Sequence, residues 1–409
     1  MTRMSEKVIW HFETDEQIHH SPTVVGGRSY FSDEEGNLYS VDVDSGTEQW
    51  CFSVDEYVQG SPVVVNGMVY FDTSHGHTYA VDANTGVEKW RYSVGFNGRY
   101  TEPAVADGVV YTVAGSTFRQ QIHAIDADMG QVLWTFDLRE NDDRGSVGHP
   151  LKITNSILYF ISDGGVLYAV DTETGEMKWS LDGFYISTNE TSYPTIIDGY
   201  IYIGCHDGLY KIGTKNKTSV FSLLSTSAGK IKWSHEDGWF LSPVTTSKST
   251  IYATEKLDGK LYAFKTSGGI KWQTALPAQS ISAPRLINGR IYVSNNSHLI
   301  VVDGDSGQQL ETIKISRSLK FGAPVINNGI AYIGGYDGLR AVDINSQQSY
   351  YDHMEESSSD NSADHTKKYE EASSPANKET NNLLYCSECG NSLSEYETPQ
   401  YCPSCGANL

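Results

Sequence analysis

Ser61-Pro62-Val63-Val64-Val65-Asn66-Gly67-Met68-Val69-Tyr70-Phe71-Asp72 runs on through Thr78-Tyr79-Ala80-Val81-Asp82 to Thr85-Gly86-Val87-Glu88-Lys89-Trp90. Short β-branched and aromatic runs separated by Asn-Gly and Gly-containing turns predict four strands joined as a meander. Close copies of this unit recur from residue 21 to residue 347, opening at Pro22, Pro62, Pro103, Pro150, Pro194, Pro243, Pro284 and Pro324. Eight copies spaced 40 to 49 residues apart match the size of a propeller blade. The fold class predicted is all-β, an eight-bladed β-propeller with four-stranded blades.

A second register supports this reading. Trp50, Trp90, Trp134, Trp179, Trp233 and Trp272 each follow a glycine by four residues: Gly46, Gly86, Gly130, Gly175, Gly229 and Gly268. A glycine there supplies the positive φ of a tight turn. The aspartates ahead of it, Asp42, Asp82, Asp126 and Asp171, are placed to accept the turn's amides. The tryptophan then faces the gap between blades. The eighth copy stops after Val342-Asp343 with no tryptophan strand, whereas Lys7-Val8-Ile9-Trp10-His11-Phe12 stands unattached at the N-terminus. That strand is expected to complete the last blade and close the ring. Blades five to seven are the least regular. Gly213 and Lys265 replace the turn aspartate, an insertion spans Lys215 to Thr226, and Glu311 stands where a tryptophan belongs.

The segments Tyr39 to Trp50, Tyr79 to Trp90 and Tyr168 to Trp179 resemble the tryptophan-docking repeat of the pyrroloquinoline-quinone (PQQ-like) propeller superfamily. The resemblance covers residues 1–347. It implies the propeller fold, and it implies either quinone-dependent dehydrogenase chemistry or a non-enzymatic scaffold role, since the superfamily holds both. The quinone enzymes carry a calcium or lanthanide ion beside the cofactor and often a disulfide between adjacent cysteines. No adjacent cysteine pair occurs in this sequence, and the recurring aspartates sit at turns. No catalytic or quinone-binding residue is therefore assigned.

The last stretch reads Cys386-Ser387-Glu388-Cys389-Gly390, eleven residues, then Cys402-Pro403-Ser404-Cys405-Gly406. Two Cys-x-x-Cys knuckles at hairpin spacing place four thiolates around one tetrahedral ion. Cys386, Cys389, Cys402 and Cys405 are the predicted ligands of one structural zinc in a zinc ribbon over residues 383–409. A unit this small cannot stand on apolar burial, and structural zinc supplies roughly 10–16 kcal/mol. Redox dithiols or disulfides are the alternative. The ribbon carries Glu388, Glu395 and Glu397 and no lysine or arginine, which argues against nucleic-acid contact. Residues 348–382, dominated by serine, asparagine and charge, read as an acidic disordered linker.

A formal net charge of −21 disfavours phosphate backbones and anionic membrane surfaces as partners. No apolar run is long enough to span a bilayer, and no signal-peptide pattern opens the chain. With four of six cysteines in metal-type pairs, a reducing, cytoplasmic setting and a monomeric state are expected. The connections between blades include His19-His20, Tyr57, Arg99-Tyr100, Arg139 to Arg144, Tyr185 to Tyr193 and Trp239-Phe240. Their aromatics suit protein interfaces, or equally fold back onto blade edges. His19-His20 and His75-Gly76-His77 read as exposed turn histidines, with metal binding as the alternative. The function expected is a protein-interaction scaffold or adaptor with a zinc-binding tail. An enzyme or small-ligand sensor using the propeller channel is the alternative.

Overall fold

A computed structural model describes residues 7–93, 102–116, 119–140, 146–148, 150–185, 194–214, 229–247, 249–277, 282–295, 297–315 and 322–345. The linker and the zinc-ribbon cysteines predicted above lie outside these residues, as do Arg99-Tyr100 and residues 186–193. Eight antiparallel sheets of four strands each make the eight blades. In blade two the strands are Val58–Val65, Met68–Thr73, His77–Asp82 and Glu88–Ser93 from the axis outward. The Asn66-Gly67 turn takes φ of 52° and 75°, the doubly left-handed form whose twist suits a two-residue hairpin.

Blade eight is built from both ends of the propeller. Val8–Phe12 pairs antiparallel with Gly338–Asp343, matching Val8 to Val342, Trp10 to Ala341 and Phe12 to Leu339. The pairing has a register shift between Val8 and Trp10. The same shift occurs just before the tryptophan in blade two, where Val81 faces Glu88 and Ala80 faces Trp90. The extra residue of such a bulge re-aims the side chain that follows it. The strand borrowed from the N-terminus therefore repeats the local geometry of a strand that never left its blade.

The core lies in the seams between blades. One cluster joins Tyr30, Leu38 and Trp50 of blade one to Val58, Val69, Phe71 and Val81 of blade two. Seven of the eight seams are locked by an indole lying over the next blade's turn. A Cβ on Gly46 would meet Trp10 at 2.8 Å, and one on Gly86 would meet Trp50 at 2.8 Å. Gly130, Gly175, Gly229, Gly268 and Gly307 stand in the same way against Trp90, Trp134, Trp179, Trp233 and Trp272. Indole N–H groups of Trp10, Trp50 and Trp90 donate to the carbonyls of Val43, Ala83 and Ala127 at 2.8 to 3.0 Å. A buried tyrosine backs each indole, with ring centroids 5.7 to 6.4 Å apart from Trp134–Tyr111 to Trp233–Tyr202. Tyr30 donates its hydroxyl to the Ala83 carbonyl that Trp50 also uses.

The seam between blades seven and eight differs. In blade eight the turn that would receive an indole is the gap between the two chain segments. The Asp343 amide donates to the Lys7 carbonyl at 2.8 Å, just as the Asp82 amide donates to the Val87 carbonyl at 2.9 Å within an intact turn. Glu311, in the tryptophan's position, forms a 2.5 Å ion pair with Lys7 there. The blade without a tryptophan is thus the one that faces the interrupted turn of the closing blade. In blade five, Lys211 replaces the small residue opposite the tryptophan. Its ammonium donates to the Thr266 carbonyl at 2.8 Å over the ring of Tyr200, and burial lowers its pKa. Among the described residues no helix is long and apolar enough to cross a membrane.

Candidate functional site: the connection face

The two ends of the propeller are chemically different. One carries the Asp-x-x-x-Gly turns, whose carboxylates serve the backbone. Asp82 accepts the amides of Asn84 and Thr85 at 3.1 and 3.0 Å, and hydrogen bonding, led by the Thr85 hydroxyl, lowers its pKa. The other end carries the connections between blades and the turns joining each blade's second and third strands. There a backbone bond recurs from turn to connection: Glu34 to Gln17, Ser74 to Tyr57, Asp163 to Ser146, His206 to Tyr185 and Lys256 to Trp239, all 2.8 to 3.1 Å. These bonds fix residues 17, 57, 146, 185 and 239 at equivalent stations around the rim. Three of the five are aromatic.

Blades one and two carry a histidine–carboxylate sector. His19 pairs with Glu34, which also accepts from Gln17. His77 Nδ1 lies 2.8 Å from Glu56, and Thr73 donates to the same carboxylate. His20 Nε2 lies 3.1 Å from the Tyr57 hydroxyl; burial, reinforced by His19, lowers its pKa to about 4, so the ring is neutral at pH 7. The reading of these histidines as exposed turn residues therefore holds only for His75, and the others are half-buried partners of carboxylate or phenol. Among the described residues no group of three or more His, Cys, Asp or Glu is arranged to hold a metal ion.

Blades five and six carry an aromatic sector. His206 lies between Tyr185 and Trp239, with centroids 5.8 and 4.8 Å away and both contacts edge-to-face. Tyr185 is 67 % exposed, while Trp239 and His206 are half-buried. Phe240, next to Trp239, is fully buried against Tyr262 and Phe264. Both sequence-level alternatives for the loop aromatics are thus realised, one at each of two adjacent residues. Sequence reading missed His206, because it comes from a turn in a different segment. The Cys-His-Asp-Gly stretch at residues 205–208 carries no signal beyond its turn glycine.

The buried carboxylates of this face serve as structural acceptors. Asp33 accepts the amides of Glu35 and Asn37 and the Tyr39 hydroxyl. Glu255 accepts the amides of Trp239, Leu257 and Asp258. Asp72 bridges a seam by accepting from Thr78 and from Thr112 of the next blade. Chemically, the face holds its connections rigid and presents aromatic rings at its surface.

The profile of the family described as outer membrane protein assembly factor BamB matches residues 2–96, 95–236 and 216–312. Among curated proteins, the chain is 25 % identical over 239 residues to the outer membrane protein assembly factor BamB of Yersinia pestis, covering 55 % of this chain and 56 % of that protein. It is 29 % identical over 150 residues to the dehydrogenase subunit of a quinone alcohol dehydrogenase from Gluconacetobacter polyoxogenes, covering 33 % of this chain and 19 % of that protein. The matched region thus spans little more than half of one relative and a fifth of the other. Among solved structures, BamB from Moraxella catarrhalis superposes with a TM-score of 0.66 at 16 % identity, covering 82 % of this chain and 98 % of that one. A quinohemoprotein alcohol dehydrogenase from Comamonas testosteroni gives 0.66 at 13 %, covering 82 % and 76 %. At such identities the structural likeness establishes the fold alone.

Proposed function

The chain belongs to the family described as outer membrane protein assembly factor BamB, and on that premise we propose that it is a non-catalytic scaffold that docks other proteins on its connection face. One observation carries the reading. Aromatic side chains stand at equivalent rim stations, and the carboxylates buried beneath them are engaged by amides and hydroxyls of the fold. Tyrosine and tryptophan on a rigid rim supply large contact area at low entropic cost. The family description names an assembly factor, which supports docking. The quinone dehydrogenases among the relatives support the second reading, a channel that binds quinone or another small ligand. No reaction step is assigned to any residue. The proposal includes one zinc on Cys386, Cys389, Cys402 and Cys405 and a cytoplasmic location, the latter because those thiolates must stay reduced to bind metal.

A photo-crosslinking amino acid placed in the full chain at Tyr185, or at the exposed Tyr336 in the turn between the second and third strands of blade eight, tests the face. Discrete protein adducts are expected from both positions in the native cell, and none from Met177 on an outer strand. Adducts that form equally at Met177 would remove the support for the face. Incubation with pyrroloquinoline quinone and calcium is expected to give no stoichiometric uptake and no dye reduction with simple alcohols. Tight uptake would turn the assignment to the enzyme reading.

A further inference from the structure

We propose that the Tyr185–His206–Trp239 strip seats a cationic segment of a partner protein, with an arginine side chain laid on the open ring of Tyr185. The inference rests on the scaffold reading and names the partner's chemistry. Its first support is geometric. The contacts within the strip are edge-to-face, and Tyr185 is 67 % exposed at its end. Aromatic faces attract cations, and a planar guanidinium stacks on them better than a compact ammonium.

The second support is charge. Asp182 lies three residues before Tyr185, Asp207 follows His206, and Glu236-Asp237 precede Trp239. Asp207 stands near the Tyr210 phenol, whose pKa burial raises with the help of that carboxylate, and the Asp207 Oδ1 is enclosed without a hydrogen-bond partner. Glu255, beneath Trp239, is held by amides. Residues 182–185, 205–208, 236–240 and 255–258 contain a single lysine, Lys256, and no arginine. A ring strip whose residues have acidic neighbours in the sequence, on a chain of net charge −21, repels acidic partners and favours basic ones. Glycan stacking, the other common use of such rings, would not need this charge.

The test titrates the full chain with a fluorescein-labelled peptide of four arginines spaced by glycine and serine, at physiological salt. Lysine and glutamate versions of the peptide serve as comparisons. The arginine peptide is expected to bind more tightly than the lysine peptide. Tyr185→Ala should weaken it by about fivefold, the loss of one cation–π contact of about 1 kcal/mol, and should abolish the arginine preference. Trp239→Leu should act in the same direction, and Met177→Ala, on an outer strand away from this face, should leave binding unchanged. Because Tyr185 is exposed, its variant separates recognition from folding even if Trp239→Leu melts early. Absence of binding, or equal binding of the arginine and lysine peptides by wild type and Tyr185→Ala alike, would overturn the proposal. Binding of a neutral oligosaccharide in place of the peptide would also overturn it. If the peptide fails while crosslinks at Tyr185 persist, the partner chemistry is wrong and the scaffold reading stands. If crosslinks fail as well, both fall.

Discussion

Trp50 and Gly86 form a single contact made by two blades. The indole lies on the glycine's backbone, its N–H donates to the Ala83 carbonyl at 3.0 Å, and Tyr30 backs it. Trp50→Ala is expected to cost about 3–5 kcal/mol, as for other large buried aromatics. Gly86 has φ of 71°, and an added Cβ would stand 2.8 Å from the Trp50 ring. Gly86→Ala should therefore cost on the order of 1–3 kcal/mol. The part of the cost that comes from the clash should vanish in the Trp50→Ala background, where the ring is gone, while the part set by the positive φ should remain. Denaturant melts of the two single variants and the double variant measure the coupling, and strict additivity would show that the contact carries no energy. The turn's demand for positive φ was legible in the sequence. The indole's demand for the same glycine was not, because spacing within one chain segment does not reveal what the preceding blade lays on it. For the same reason Glu311 read as divergence, although it occupies the one seam that lacks a receiving turn.

At the level of elements, Val8–Phe12 binds the ring to itself. It pairs with Gly338–Asp343, repeats the bulge of the other outer strands and lays Trp10 over Gly46 of blade one. Deleting residues 1–14 should bare the Gly338–Asp343 edge and empty the seam over Gly46. Unpaired edges recruit other chains, so a lower melting temperature should come with aggregation in light scattering. A truncated protein that melted like the full chain and stayed dispersed would contradict this role. The closure was readable because half-repeats at the two ends of the pattern complement each other. The bulge was not readable, since one extra residue in a strand leaves the composition and spacing of the motif unchanged. On the connection face, sequence reading found Tyr57, Tyr185 and Trp239 from their place between strands. It could not show that Phe240 turns inward while Tyr185 faces solvent, or that His19 finds a carboxylate in a turn and His77 one in a connection between blades, each distant in sequence.

Across the whole molecule, stability should divide between two independent parts. The propeller's seams are built within residues 7–345, so the zinc proposed on the terminal cysteines should have no bearing on its melting. One zinc per chain is expected by metal analysis of protein prepared under reducing conditions. Cys402→Ser with Cys405→Ser should release the metal and leave the propeller's melting temperature unchanged; protein with no zinc would overturn the assignment. Within the ring, the Asp343 amide bonded to the Lys7 carbonyl imitates a turn whose covalent link is absent. A linker copied from Ala83-Asn84-Thr85-Gly86 could join Asp343 to Lys7, and the chain could instead be cut at any intact turn of the same kind. The order in which the blades are written into the gene is thus separable from the order in which they touch. Circular permutants opened between blades should fold to the same wheel, with Glu311 then free to become the tryptophan that its seam could finally receive.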